Sequence, residues 1–338
     1  MSLTIKDIAR MAGVSFSTVS RVINNSKPVS EEIRNRVLDV IEETKFRPNA
    51  VARGLVKSKS NMLGVIIPDL CYTLFDEKIE GIHKVSKIYG YDFILSLSGR
   101  NLDHELHYLN LFREKQTDGI IFASNLKKQH VEVLEHLNTP CVIIGEKSEI
   151  SGFPTINLDN YTASYEAVSY LIQNGHKEIA MIRKLVHETQ EDEVDPLEKR
   201  YQGYLQAMKD AGLTVRPEWV VSSGLSMPDG MEAVKKIVES GKLPTALFCV
   251  TDRVAIGAMN YLMEIGYHVP DDISFIGFDD IDICMATRPQ LSSIGYSANE
   301  IGMTATRVLI KLIKGEEVSM HTDVPHHLLI RQSVKSIR

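Results

Sequence analysis

At 338 residues the chain is long enough for more than one packed unit, and 43% hydrophobic with 24% charged residues is the balance of an ordinary globular protein. Four cysteines, Cys71, Cys141, Cys249 and Cys284, stand far apart with no C-x-x-C pair, which argues against a disulfide framework or a zinc ribbon and fits a reducing cytoplasm. No run approaches the ~20 apolar residues of a membrane span and MSLTIKDIAR has no apolar signal core, so a cytoplasmic protein without a membrane partner is expected.

The net charge of −6 conceals an asymmetry. Residues 1–60 hold 11 Lys or Arg against 6 Asp or Glu, and the remainder holds 27 against 38. A small basic head on a large acidic body implies that the head meets a polyanion.

In TIKDIARMAG, Ile5, Ile8, Ala9 and Ala12 form one helical stripe, Thr4 with Asp7 makes a capping-box-like start, and Gly13 is a natural stop. Ser15 can cap a second helix, with Val14 and Val19 at staple positions and Val22 and Ile23 continuing the apolar stripe. Ser17, Ser20, Arg21 and Asn24 are left together on the outer side, where Ser and Thr are poor choices for a merely solvated helix. Two helices about a glycine turn, the second with a polar hydrogen-bonding face, form the helix-turn-helix that sets a recognition helix in the major groove. A third helix is predicted in SEEIRNRVLDVIEETKF, with Ser30 as cap and Ile33, Val37, Val40 and Ile41 inward. RPNAVARGLVKSKS then reads as an Asn49 cap and about two turns of marginal helix flanked by Arg53, Lys57 and Lys59.

From Met62 onward, apolar runs (LGVIIPD, YDFILSLS, DGIIFAS, CVIIGE, then EIAMIR, TALFCVTD, ISFIGFDD) alternate with amphipathic stretches, the pattern of parallel sheets with right-handed crossovers. Ligands of such sheets lie beyond the carboxyl ends of the strands, which makes Asp69, Asp252 and Asp279 candidates. Nothing points to catalysis: there is no G-x-x-x-x-G-K-[ST], no G-x-G-x-x-G after a strand and no G-x-S-x-G. His104 and His107 lack a third ligand at suitable spacing, so no metal and no cofactor is expected.

TIKDIARMAGVSFSTVSRVIN, RPNAVARGL, LGVIIPD, DGIIF, FIGFDD and RPQLSS together resemble the LacI/GalR family over essentially the whole chain, and within it the catabolite-control branch through NAVARGL and IGMTATRVLIKLIKG. The resemblance implies an α/β protein: an all-α helix-turn-helix headpiece (1–48), a hinge helix or linker (49–60), and two Rossmann-like parallel-sheet subdomains. These would comprise 61–161 with 291–322 and 162–290 with 323–338, the chain crossing between them near Tyr161, Leu291 and Thr322. It implies a DNA-contacting set of Thr4, Ser15, Phe16, Ser17, Thr18, Ser20, Arg21, Asn24, Asn49, Ala52, Leu55, Val56 and Lys57. Phe16, Ser17 and Arg21 would lie at base-reading positions and Leu55 at the minor-groove wedge. Arginine can bind guanine bidentately, and an apolar residue among basic ones suits a wedge.

By the same resemblance Asp279 and Arg200 bind an effector, with Asp69, Phe75, Thr251 and Asp252 around them. Carboxylate, guanidinium and hydroxyl suit sugar hydroxyls, which donate and accept. The implied function is a transcriptional regulator, most simply a repressor, that binds a near-palindromic operator as a homodimer under control of a sugar-like effector. Arg307 and Lys311 match positions at which the catabolite-control branch grips serine-phosphorylated HPr, a second mode of control. A transport-type solute-binding protein would share the body, but it would lack the headpiece and need an export signal. The ending LLIRQSVKSIR carries no leucine heptads of the tetramer-forming kind, so a dimer is expected. The pocket departs from the family pattern at YTLF (Tyr72 to Phe75), at Gly145-Glu146, and in the long acid-rich loop 183–199, which either is solvated or faces a cationic ligand.

Overall fold

The computed structural model describes residues 3–25, 27–46, 59–70, 74–124, 126–146, 152–185 and 195–338. Two compact units result, Met1–Asn61 and Met62–Arg338. Most of the 49–60 segment, with Asn49, Ala52, Leu55, Val56 and Lys57, lies outside the described residues, as do Cys71, Tyr72, Thr73 and the centre of the acidic loop.

The first unit holds α1 (Ile5–Met11), α2 (Phe16–Asn24) and α3 (Glu31–Thr44). The capping box is formed: the Thr4 amide donates to Asp7 Oδ2 at 3.0 Å and the Asp7 amide to Thr4 Oγ1 at 3.4 Å. Gly13, at φ +64°, makes the turn in a backbone region that glycine enters without steric cost. Ser15 then caps α2 through the Thr18 amide at 3.2 Å. Ser30 does sit at the start of α3, but its side chain makes no capping bond. Ile8, Ala9, Ala12, Val19, Val22 and Val37 are buried together with Phe46, which closes the small core from beyond α3.

The second unit contains two six-stranded sheets. The first has spatial order β11-β5-β4-β3-β1-β2, from β1 (Met62–Ile67), β2 (Asp92–Leu97), β3 (Gly119–Phe122), β4 (Cys141–Ile144), β5 (Thr155–Leu158) and β11 (His321–Val324), with every neighbouring pair parallel. Its helices include α4 (Phe75–Tyr89), α5 (Leu102–Glu114), α6 (Lys128–Leu137) and α11 (Ala298–Ile313). The second sheet has order β12-β10-β9-β8-β6-β7, from β6 (Ile179–Lys184), β7 (Val220–Ser223), β8 (Ala246–Cys249), β9 (Ser274–Asp279), β10 (Ser292–Tyr296) and β12 (His326–Leu329), the last antiparallel to β10. Its helices are α7 (Asn160–Gln173), α8 (Pro196–Asp210), α9 (Met227–Glu239) and α10 (Asp252–Glu264). The inner strands read as continuous apolar runs because helices cover both faces.

The chain passes from the first sheet to the second between Leu158 and Asn160, back between Tyr296 and Ala298, and over again between Val324 and His326. The last two crossings come later than the expected Leu291 and Thr322. Ser292 to Gly295 pair with β9 and so complete the second sheet before the chain leaves it, and His321 to Val324 pair with β5 in the first.

Helix α11, entering from the second crossing, lies directly against α4. A methyl group on Gly302 would sit 2.0 Å from the Lys78 carbonyl oxygen, and one on Gly81 2.1 Å from that of Asn299. The two helices therefore touch through their backbones, which fixes the first turn of α4 at the carboxyl ends of the first sheet.

Candidate functional site

The first unit presents the amino-terminal end and outer side of α2. Ser15, Phe16, Ser17 and Arg21 are exposed, and Thr18 and Ser20 are half-buried. Phe16 holds its ring 52% exposed. Hydroxyls cluster beside it, Ser15 Oγ lying 2.8 Å from both Ser17 Oγ and Thr18 Oγ1. Thr4 differs from the others, since its hydroxyl donates to Asp7 at 2.7 Å and is engaged in the cap. An exposed aromatic ring, hydroxyls able to donate or accept, and an arginine can together read base edges, and capping amides at a helix start suit a phosphate.

In the second unit the candidate groups converge where strands of both sheets end. Arg200, 3% exposed on α8, donates from Nη2 to Asp279 Oδ1 at 3.2 Å, from Nε to Asn160 Oδ1 at 2.9 Å and from Nη1 to the Val250 carbonyl at 2.6 Å. Its guanidinium carbon lies 3.5 Å from the centre of the Phe278 ring. Asp279 ends β9 at φ +106°, followed by Asp280 at +53°, a bend that turns the carboxylate out of the strand. Two consecutive non-glycine residues in this region are strained, and the bend is held from several sides. The Tyr296 hydroxyl donates to Asp279 at 3.3 Å, the Asp280 amide to Ser293 Oγ at 3.1 Å, and the Ile281 amide to Asp252 Oδ2 at 3.0 Å. Burial pushes the Asp279 carboxyl above its ordinary value, opposed chiefly by Arg200 and Lys78.

Two cavities flank this pair. One, of about 150 Å³, is lined from the first sheet's side by Phe75, Lys78, Ser124 and Ile144 and from the second's by Lys184, Arg200 and Tyr296. The other, of about 350 Å³, is lined by Leu70, Leu74, Leu225, Met227, Thr251, Asp279 and Ile283 among others. Arg200 opens on the first and Asp279 on the second, so the ion pair partitions a cleft between the sheets.

Asp279, Arg200, Phe75 and Thr251 are thus brought to the cleft, Thr251 also capping α10 through the Val254 amide. Asp252 is not: it has 0% exposure and lines neither cavity. Its Oδ1 accepts from Ser293 Oγ at 2.6 Å and its Oδ2 from Ile281, so it braces the bend beneath Asp279. Burial raises its carboxyl to about 8. Asp69 lies at the margin, paired with Arg100 at 3.2 Å. The acidic loop's described ends are neutralised within themselves, by Lys184 with Asp195 and by Arg183 with Glu198 at 2.5 Å.

Four residues of the site escaped the sequence reading. Asn160 links Arg200 to Glu146, to which its amide donates at 2.9 Å. Tyr296 tops Asp279. Glu105 is 3% exposed, held by Ser98, Ser124 and His130 at 3.1, 2.6 and 3.0 Å. Lys78 is 8% exposed, its ammonium 4.4 Å from the Phe75 ring centre. A signal for Lys78 was present: it falls in the buried stripe of Phe75, Gly81, Ile82 and Val85, where a lysine has no packing reason to be.

Among the described residues no group of three or more His, Cys, Asp or Glu is gathered as a metal site, and no helix is long and apolar enough to cross a membrane. Arg307 and Lys311 are exposed on α11, Arg307 paired with Glu300 at 3.0 Å.

Two family descriptions match the chain. "Bacterial regulatory proteins, lacI family" matches residues 4–49, and "Periplasmic binding proteins and sugar binding domain of LacI family" matches residues 60–332. Catabolite control protein A of Priestia megaterium is 40% identical over 339 residues, spanning 99% of this chain and 100% of that one. The HTH-type transcriptional regulator RegA of Clostridium saccharobutylicum is 33% identical over 98% of this chain and 99% of its own. Among solved structures, CcpA of Lactococcus lactis superposes with a TM-score of 0.72 at 28% identity, covering 81% of this chain and 99% of that one. The lac repressor dimer bound to operator and the anti-inducer ONPF reaches 0.88 at 23% identity over 99% and 100%, a likeness of fold.

Proposed function

The chain belongs to the LacI family of bacterial transcriptional regulators, and from that premise we propose that it binds a near-palindromic operator as a cytoplasmic homodimer and is switched by a small polyhydroxylated effector in the cleft. The DNA-contacting surface is the outer side of α2, with Arg21 and Ser17 reading bases and Phe16 packing on them. Two such helices are needed for two half-sites, which twofold symmetry supplies. Segment 49–60, with Leu55 as minor-groove wedge, joins this surface to the effector-binding body.

The observation that supports the effector reading is the buried Arg200–Asp279 pair standing between two cavities at the strand ends. An ion pair that only braced one sheet would not need to open on ligand-sized space on both sides. Asp279 can accept from sugar hydroxyls, and Arg200 can donate to them. The effector acts by favouring one spacing of the two sheets, and hence of the headpieces in the dimer.

The test is effector binding by calorimetry and operator binding by fluorescence anisotropy, for wild type and Asp279→Ala. The variant is expected to lose the effector response and keep basal operator affinity. Undiminished effector binding by the variant would remove Asp279 from the site. Control by serine-phosphorylated HPr is a second reading, supported by exposed Arg307 and Lys311 one turn apart on α11. A pull-down with phosphorylated and unphosphorylated HPr separates the two.

A further inference from the structure

We propose that Arg331, which follows the last strand and lines neither cavity, is a positioning residue for the effector: by holding Asp280 it sets the direction in which Asp279 presents its carboxylate. This deepens the effector reading above and rests on it.

Two neighbouring acids here point opposite ways. Asp279 lines the larger cavity, whereas Asp280 lines neither and turns back across the second sheet. A methyl group on Gly295 would sit 3.0 Å from Asp280 Cβ and 2.8 Å from a methyl carbon of Leu329, so the Asp280 side chain crosses β10 at a glycine, beside β12. There it meets Arg331, whose Nη2 lies 2.6 Å from its Oδ1. That oxygen is sealed from solvent and accepts no well-aligned hydrogen bond among the described residues, so the guanidinium is what offsets its charge.

Arg331 is itself fixed. Its amide donates to Ser292 Oγ at 2.9 Å and its Nη1 to the Leu291 carbonyl at 2.8 Å. Two residues on, the buried Ser333 donates its hydroxyl to the Phe275 carbonyl at 2.7 Å and accepts from the Ser292 amide at 2.8 Å. The segment is thereby tied to the starts of β9 and β10, while the guanidinium reaches just past the end of β9. Arginine suits this place because its planar fork serves a carbonyl and a carboxylate at once, which a lysine ammonium does less well.

The bend needs such support. Asp279 and Asp280 both have positive φ, a conformation that persists only where the surroundings over-determine it. Ser293 and Asp252 accept the Asp280 and Ile281 amides and hold the backbone from beneath; Arg331 holds the Asp280 side chain. Without the guanidinium, the Asp280 carboxylate is drawn outward to water, and the peptide it shares with Asp279 turns with it. Asp279 then loses its aim into the cleft.

The experiment compares the full-length wild type with Arg331→Met, Arg331→Lys, Arg331→Met combined with Asp280→Asn, and a control, Lys335→Met. The control removes another cation of the same segment, paired with Asp271 at 2.7 Å. One readout is calorimetric affinity, well below the melting temperature, for the tightest wild-type binder among free pentoses, free hexoses, disaccharides and hexose phosphates. The other is hydrogen exchange at the Asp280 and Ile281 amides without sugar. Arg331→Met is expected to weaken sugar binding tenfold or more and to speed exchange at both amides tenfold or more, with Lys335→Met unchanged in both. Arg331→Lys should recover part of the affinity, and so should the added Asp280→Asn, since it removes the stranded charge. An arginine that only secured the chain end would lower the melting temperature and leave affinity intact. That result, an equal loss in Lys335→Met, or weaker binding with unaltered exchange at the two amides overturns the proposal and leaves the effector reading standing. A panel silent with the wild type overturns the effector reading and the proposal with it.

Discussion

Replacing Arg200 by methionine keeps most of the side-chain volume and removes only the guanidinium. Three acceptors in the interior then lose the donor that Arg200 supplied: Asp279 Oδ1, which keeps only the Tyr296 hydroxyl, Asn160 Oδ1 and the Val250 carbonyl. Removing one partner of a buried ion pair typically costs about 3–5 kcal/mol, because the other charge is left uncompensated. At roughly 2–4 °C per kcal/mol for a unit of this size, the melting temperature should fall by on the order of 10 °C. The loss should depend on pH. Burial already raises the Asp279 carboxyl and Arg200 is the strongest influence against it, so the variant's carboxyl rises further. A carboxyl with a folded value above its unfolded one supports folding below the unfolded value and loses that support as pH rises through the folded value. The deficit of Arg200→Met relative to wild type should therefore be larger at pH 7.5 than at pH 5.5. Adding Asp279→Asn removes the stranded charge and should restore part of the loss. Thermal melts of the two single variants and the double variant at both pH values are the measurement. A wild-type-like melt for Arg200→Met at pH 7.5, or purely additive losses in the double variant, would refute the reasoning.

Gly302→Ala should destabilise by about 1–3 kcal/mol, since the new methyl meets the backbone carbonyl of Lys78 and neither helix can yield without moving the other. Because Lys78 also lines the smaller cavity, effector affinity should fall as well, and an unchanged melt and affinity would contradict the close approach. Arg21→Ala should cost about 1–3 kcal/mol on the operator and little on random DNA, whereas equal losses in anisotropy titrations on both would make it a phosphate contact. The Asp252 carboxyl, raised from 3.8 to about 8, contributes stability that is present below 3.8 and lost as pH rises through 8. Asp252→Asn should flatten the melting profile between pH 4 and 8, and an unaltered slope would rule out this residue as its source.

The helical headpiece was legible because its signals are local. Thr4 with Asp7, Gly13 and Ser15 each act within four residues, and all three form as read. The failure of Ser30 to bond and the burial of Phe46 depend on how α3 packs, which no local pattern states. The strands were legible from their apolar runs, but the crossings were not, because pairing partners such as His321 with Thr155 lie far apart in sequence. Asp252 and Asp279 look alike in sequence, each an acid at a strand's end. What separates them is backbone direction: Asp252 begins a helix and points beneath the bend, whereas Asp279 sits on the positive-φ bend and points into the cleft. Lys78 was visible as a polar residue in an apolar stripe, but its meaning required knowing that the stripe's first turn borders Arg200.

The three crossings also constrain how such a regulator can diversify by recombination. A single exchange near residue 160 between two related genes would give a protein whose first sheet comes from one parent except for β11, with α11 also supplied by the other. The backbone contact of α4 with α11 would then join segments of different ancestry, and any residue larger than glycine at position 81 or 302 would spoil the seam. Ligand preference and operator preference can be shuffled independently by one exchange near residue 61, where the two units divide. The two halves of the cleft cannot: a compatible swap of the second sheet needs three breakpoints, so this pocket is expected to evolve by point substitution.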